Sequence, residues 1–418
     1  MPTTPDIIAG LDIGSSAIRL ALGQRMDGHE RSFHIIGVAE SPAHGISRGI
    51  ITSMEDAVSS ITACLDKAER IVGVPIQKVW VGISGSHIIS QESKGVIAVA
   101  KPNGEITESD IERAIEAART VATPPNYEIL HVIPKSFTVD GQSGIRDPRG
   151  MTGIRLEVDT QIIQGLASQI KNITKAIYRT RLEIEDLVMS ILATSEAVLT
   201  SRQKQLGCVV VNIGGSTTSI AVFEEGDVLH TAILPIGSDH ITSDIAIGLR
   251  VNIDIAEKIK LECGSALSKN ISKRDEIDLG ELGGGESIFI SRKYISEIIE
   301  ARAEEIFARV DAELKKIDKS GMLPAGAVLT GGGAKIEGMV ELAKSSLRLP
   351  GALGYPIGVS SAVDKINDVS FSTSVGLVIW GDQLSERRGD GFGNIFSNLK
   401  LGDISKKFKR LFGSFGRR

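Results

Sequence analysis

Apolar positions along the chain fall into one arrangement that occurs twice. Ile7-Ile-Ala-Gly-Leu-Asp12-Ile, a Gly14-Ser15-Ser16 break and Ala17-Ile-Arg-Leu-Ala-Leu22 predict strand, tight turn, strand. Two hundred residues later, Cys208-Val-Val-Val-Asn212-Ile leads through Gly214-Gly215-Ser216-Thr217 into Thr218-Ser-Ile-Ala-Val-Phe223. A duplicated hairpin in an otherwise mixed pattern suggests an α/β chain of two lobes with a cleft between them.

Between the hairpins, residues 84–160 read as a small α+β insert. Its helix is opened by a capping box, Thr107-Glu-Ser-Asp110, and carries an apolar stripe of Ile111, Ala114, Ile115 and Ala118. From Tyr294 to Ile317, Ile295, Ile298, Ile299, Ile306, Val310, Leu314 and Ile317 keep helical spacing, after a glycine-rich loop at Gly280–Glu286. Ala325–Thr330 predicts a strand that runs through Gly331-Gly332-Gly333 into a helix starting near Lys335. From Asp382 to Asn394 the chain turns polar and glycine-dotted, as in a flexible linker.

At the end of the chain, Ile404, Phe408, Leu411, Phe412 and Phe415 share one helical face, with Lys406, Lys409 and Arg410 opposite and Lys407 at the flank. That composition fits an interfacial membrane helix, and each of its four clustered bases is worth about 1 kcal/mol near an anionic leaflet. The rival reading is a helix docked in a groove. Ile395, Phe396 and Leu399, just ahead of it, have no assigned role.

The 418 residues allow two to four domains, and 42% hydrophobic with 24% charged residues is ordinary for a soluble globular protein. The net charge is −5, but Lys400–Arg418 carries +6, so the remainder carries −11. An acidic body and few aromatic residues (4%) argue against nucleic acid as a partner, while the basic tail points to an anionic surface. Cys64, Cys208 and Cys263 are too scattered for a disulfide framework or a clustered zinc site. The N-terminus does not resemble a signal peptide, and no apolar run reaches the ~18 residues of a spanning helix.

Four short pieces carry chemistry. A turn of glycine and serine exposes backbone N–H groups that cradle phosphate oxygens, with hydroxyl donors from Ser15, Ser16, Ser216 and Thr217. Asp12 at the strand end can hold a hydrated Mg²⁺. One such turn alone is an ordinary hairpin, whereas one per lobe can clamp a polyphosphate from both sides. Gly331-Gly332-Gly333 lets a flat ring or a phosphate approach the backbone, or serves only the geometry of the connection. Glu257 and Lys260, one helical turn apart, can reach ribose hydroxyls or form a surface pair.

In order and spacing these pieces resemble the actin, heat-shock chaperone and sugar-kinase ATPase superfamily, and within it the FtsA family of bacterial cell-division proteins. His131-Val-Ile-Pro134, Val209–Gly215, Thr242-Ser-Asp-Ile-Ala246, Val328–Ala334, Ser374-Val-Gly-Leu377 and the basic tail extend the resemblance over nearly the whole chain. It implies an actin-like fold: subdomain 1A at 1–83, 161–192 and 363–381, 1C at 84–160, 2A at 193–230 and 322–362, and 2B at 231–321. A linker at 382–402 and a membrane-targeting amphipathic helix at 403–418 would follow. The resemblance further implies ATP between the lobes and filaments that hold FtsZ on the cytoplasmic face of the inner membrane. It implies as well that other division proteins are recruited there and that the FtsZ C-terminal peptide docks on 2B, with Lys293 and Arg302 as candidate contacts.

The sequence departs from the superfamily at three places. Asn212 stands where the second phosphate turn usually has Asp, and Ser216 where a third glycine is common. Ala193-Thr-Ser-Glu196 offers no carboxylate in register to orient a water. ATP binding with slow or negligible hydrolysis is therefore the expectation, and no catalytic residue is assigned. The alternatives are a PilM-like peptide-binding adaptor and a small-molecule kinase of the same superfamily.

Overall fold

The computed structural model describes residues 7–25, 33–121, 124–282, 287–361 and 363–387. The proposed membrane helix at 403–418, together with Ile395, Phe396 and Leu399, lies outside the described residues.

Each lobe is built on a sheet that starts from one of the two predicted hairpins. In the first lobe, Ile7–Ile13 and Ala17–Arg25 pair antiparallel, and Ile7–Ile13 lies parallel to Lys78–Ile83, itself parallel to Glu183–Met189. Phe33–Pro42 and Ser360–Ser361 complete six strands. In the second lobe, Cys208–Ile213 and Thr218–Glu224 form the hairpin, extended by Asp227–Leu234 on one side and by the parallel strands Ala327–Thr330 and Gly351–Leu353 on the other. Val209, Val210 and Val211 are all fully buried, as expected of an inner strand covered on both faces.

Two helices cross at the base of the cleft. The helices Ser190–Val198 and Ser372–Arg387 approach so closely that a Cβ at Gly376 would collide with the Ala193 carbonyl and come within 3.0 Å of the Thr194 nitrogen. The second of these helices continues through Asp382, which pairs with Arg25, so the linker expected from Asp382 begins inside it.

The insert forms a four-stranded antiparallel sheet, Ile88–Ala98, Arg155–Leu166, Tyr127–Val139 and Gln142–Ile145, covered by the helix Glu108–Val121. It has its own core, in which Ile111, Ala114, Ile115 and Ala118 are buried as their spacing predicts. Its helix start is a variant of the expected box: the Asp110 carboxylate accepts from the Thr107 N–H (2.9 Å) and hydroxyl (2.6 Å). The insert touches the second lobe through Arg146–Glu225 (2.5 Å) and Gln161–Thr231 (3.4 Å).

Candidate functional site

The two hairpin turns are built alike. The Gly14 N–H donates to the Ala17 carbonyl at 3.2 Å and the Gly214 N–H to the Thr217 carbonyl at 2.9 Å. Asp12 faces Arg19 across the first hairpin, and Asn212 faces Ser219 across the second. Both turns open into one cleft of about 660 Å³, which is also lined by Glu257, Lys260 and Gly331-Gly332-Gly333. The structure thus brings the predicted ligand-binding positions Asp12, Gly14, Ser15, Ser16, Asn212, Gly214, Gly215, Ser216 and Thr217 to face those on the far side of the cleft.

Glu257 and Lys260 sit on the helix Ile253–Cys263, begun by the Asn252 side chain accepting from the Ile255 N–H. Lys260 is buried, and its ammonium donates to Thr242 Oγ1 at 2.8 Å and lies 2.6 Å from the Glu257 carboxylate. Glu257 also accepts from the Thr242 hydroxyl at 2.5 Å, so the three form one network with a half-exposed carboxylate. The glycine triad lines the cleft with bare backbone, a shelf without side chains. A Cβ at Gly331 would come within 2.6 Å of the Ile213 carbonyl, and Gly331 has φ of 84°. The connection is a 3₁₀ turn, Gly332–Lys335, and the α-helix begins only at Met339, after Gly338 at φ 82°. The α-helix start expected near Lys335 is thus displaced to Met339.

The electrostatics are uneven. Burial raises the Asp12 carboxyl to about 6, with Arg19 opposing the shift. Asn212 donates its amide to Thr373 Oγ1 at 3.2 Å. Glu196 pairs with Lys204 at 2.7 Å and does not line the cleft. Ser190, in contrast, does line it; its hydroxyl is buried and has no partner among the described residues. The glycine shelf, the exposed turn amides and this orphan hydroxyl fit a phosphate-bearing ligand, and the carboxylate of Asp12 fits its hydrated Mg²⁺.

Several lining residues went unread in the sequence. Asp239 sits between the two turns, while Leu261, Arg292 and Ile336 line the end of the cleft near the shelf. Gly237-Ser-Asp239 opening an apolar helix was the available signal for Asp239. His131, read as a packed histidine, is buried and accepts the Met189 N–H at 2.9 Å. Of the two candidate partner contacts, Lys293 is partly exposed near the start of the helix Arg292–Lys316. Arg302 grips Asp244 at 2.6 and 2.9 Å and also pairs with Glu305.

Comparisons with known proteins agree with this architecture. A family model described as "SHS2 domain inserted in FTSA" matches residues 85–164, and one described as "Cell division protein FtsA" matches residues 209–376. The chain is 37% identical to cell division protein FtsA of Pseudomonas aeruginosa over 386 residues, 92% of this chain and 91% of that one. It is 36% identical to the Bacillus subtilis protein over 89% of this chain and 83% of that one, and 32% identical to the Escherichia coli K12 protein over 91% of each. Among solved structures, a PilM–PilN type IV pilus biogenesis complex superposes with a TM-score of 0.65 at 17% identity, covering 90% of this chain and 98% of that one. MreB5 of Spiroplasma citri bound to AMPPNP superposes with 0.55 at 13% identity, covering 94% and 100%. The fold is actin-like, and the chain belongs to the FtsA family of cell-division proteins.

Proposed function

We propose that the protein binds ATP with Mg²⁺ in the interlobe cleft, polymerises at the cytoplasmic face of the inner membrane, tethers FtsZ filaments there and helps recruit later division proteins. The observation that carries the nucleotide part is the pair of like-built turns facing each other across one cleft. When bound, Mg²⁺ supplies positive charge that offsets the polyphosphate. The chain's own part is to grip the phosphates from both lobes with turn amides and hydroxyls, and to seat the rest against the glycine shelf and the Glu257–Lys260 network. Asn212 in place of a carboxylate, and Glu196 engaged with Lys204, support slow or negligible hydrolysis.

Membrane attachment rests on the tail's amphipathic spacing. A single such helix is a reversible anchor, and a filament presenting many gains avidity because each later insertion is effectively intramolecular. For the FtsZ peptide, Lys293 and the exposed Ile247 and Tyr294 offer a mixed cationic and apolar face on the second lobe. Arg302 contributes there only if the peptide's carboxylate competes with Asp244.

The test is flotation with liposomes containing anionic lipid, with and without MgATP, comparing the full chain with one ending at Arg387. The full chain alone is expected to float and to carry FtsZ with it. Flotation of both chains, or of neither, overturns the tail as anchor.

A further inference from the structure

One carboxylate stands in the middle of the phosphate site. Asp239, in the first turn of the helix Ser238–Leu249, accepts from Ser16 Oγ of the first lobe at 3.3 Å and from Ser216 Oγ of the second at 3.0 Å. Its position is built from below. Gly237 has no Cβ, and one placed there would come within 2.6 Å of the Gly214 carbonyl; the helix start therefore lies directly on the second turn. Ser238 and Asp239 donate their N–H groups to the Gly214 and Gly215 carbonyls at 2.9 and 2.8 Å. A Cβ at Gly215 would come 2.7 and 2.8 Å from the two Asp239 oxygens and would collide with Ser16 Oγ, which shows how tightly the three groups meet.

We infer that Asp239 is a latch that takes the place of a phosphate group when the cleft is empty and sets the divalent-cation requirement when it is filled. This rests on the ATP-binding reading above. The hydroxyls of Ser16 and Ser216 are the donors a phosphate needs, and here they are spent on a carboxylate belonging to the chain itself. A polyphosphate must take over both donors, leaving the Asp239 carboxylate beside it without them. Two like charges a few ångströms apart repel strongly in a half-buried site, and a divalent cation relieves that repulsion. Asp239 thereby acts as a positioning and specificity-determining residue. It holds the lobes together without ligand, and it makes the site discriminate against polyphosphate that arrives without its metal.

The experiment uses the full chain and two variants. Asp239→Asn keeps shape and acceptor while removing the charge, and Asp239→Ala removes both. Binding of ATP is measured by calorimetry in excess Mg²⁺ and in EDTA, and amide hydrogen exchange of residues 14–17 and 214–217 is followed without nucleotide. In EDTA both variants are expected to bind ATP about tenfold tighter than wild type, so that the advantage conferred by Mg²⁺ shrinks. Without nucleotide, exchange at both turns should quicken in Asp239→Ala, and MgATP should abolish the difference. If wild type binds ATP but neither variant gains affinity in EDTA, the latch is overturned while the nucleotide reading stands. If exchange at the two turns is the same in Asp239→Ala and wild type, the latch is likewise overturned. If no form binds ATP in either buffer, the nucleotide reading fails and the inference fails with it.

Discussion

Replacing Asp12 with Asn is expected to make the ligand-free protein more stable while weakening its use of Mg²⁺. Burial raises the Asp12 carboxyl from 3.8 to about 6 against the pull of Arg19, and among the described residues no hydrogen bond to it is found. At ~1.4 kcal/mol per pKa unit, holding it ionised in the fold costs about 3 kcal/mol at pH 8. The sign follows from linkage. A carboxyl whose folded pKa is raised favours folding most below its unfolded value, and that advantage is lost as pH rises through the folded value. Asp12→Asn, being uncharged throughout, should exceed wild type by about 3 kcal/mol at pH 8 and by about half of that at pH 5. The assay is urea unfolding of both proteins at the two pH values without nucleotide or Mg²⁺, with the denaturant slope checked for equality. A variant no more stable than wild type at pH 8, or a gap that does not narrow at pH 5, would refute the reasoning. If Asp12 holds the hydrated ion as proposed, the same substitution should lower affinity for ATP in Mg²⁺ far more than in EDTA.

Asn212→Asp places a second carboxylate at the mirror position of Asp12 and is expected to raise ATP hydrolysis about tenfold, read as phosphate release. Asp110→Ala should loosen the insert by about 2 kcal/mol, because the carboxylate accepts from Ala100, Thr107 and Arg113; exchange of amides 107–121 reports it. Burial pushes the Asp110 carboxyl up, but those bonds together hold it at about 2, so its contribution is present above about pH 4 and fades as pH falls through 2. An acid titration of the variant should lack that step. Gly376→Ala forces apart the helices Ser190–Val198 and Ser372–Arg387 and should cost about 1–3 kcal/mol, seen as a lower thermal midpoint.

The two glycine–serine turns were legible because turn geometry is local. Glycine and serine between apolar strands mean the same thing at residue 14 as at residue 214, and the register Asp12–Arg19 and Asn212–Ser219 follows from it. The glycine shelf was legible for the same reason, but its helix was placed too early, since the positive φ of Gly338 is set by close packing against Leu267, distant in sequence. Asp239 escaped notice because its contacts form only where a helix start meets a turn from the other lobe, 223 positions from Ser16. Arg302 illustrates the converse. A cation on a helix face reads as available, yet Asp244 on another helix already occupies it.

The insert enters and leaves the first lobe at a single point. Ile88 and Gly165 face each other in the ladder, and the two strands stay paired for their full shared length to Ala98 and Arg155. Topologically this is a cassette on a two-stranded stem. What hangs from the stem can be lengthened, trimmed or exchanged without rethreading the sheet beneath it, because the chain re-enters one strand spacing from where it left. A lineage, or a protein engineer, can therefore change what this lobe presents to its surroundings, so long as the strand face that packs on the first lobe, with His131 accepting the Met189 N–H beside the cleft, is kept.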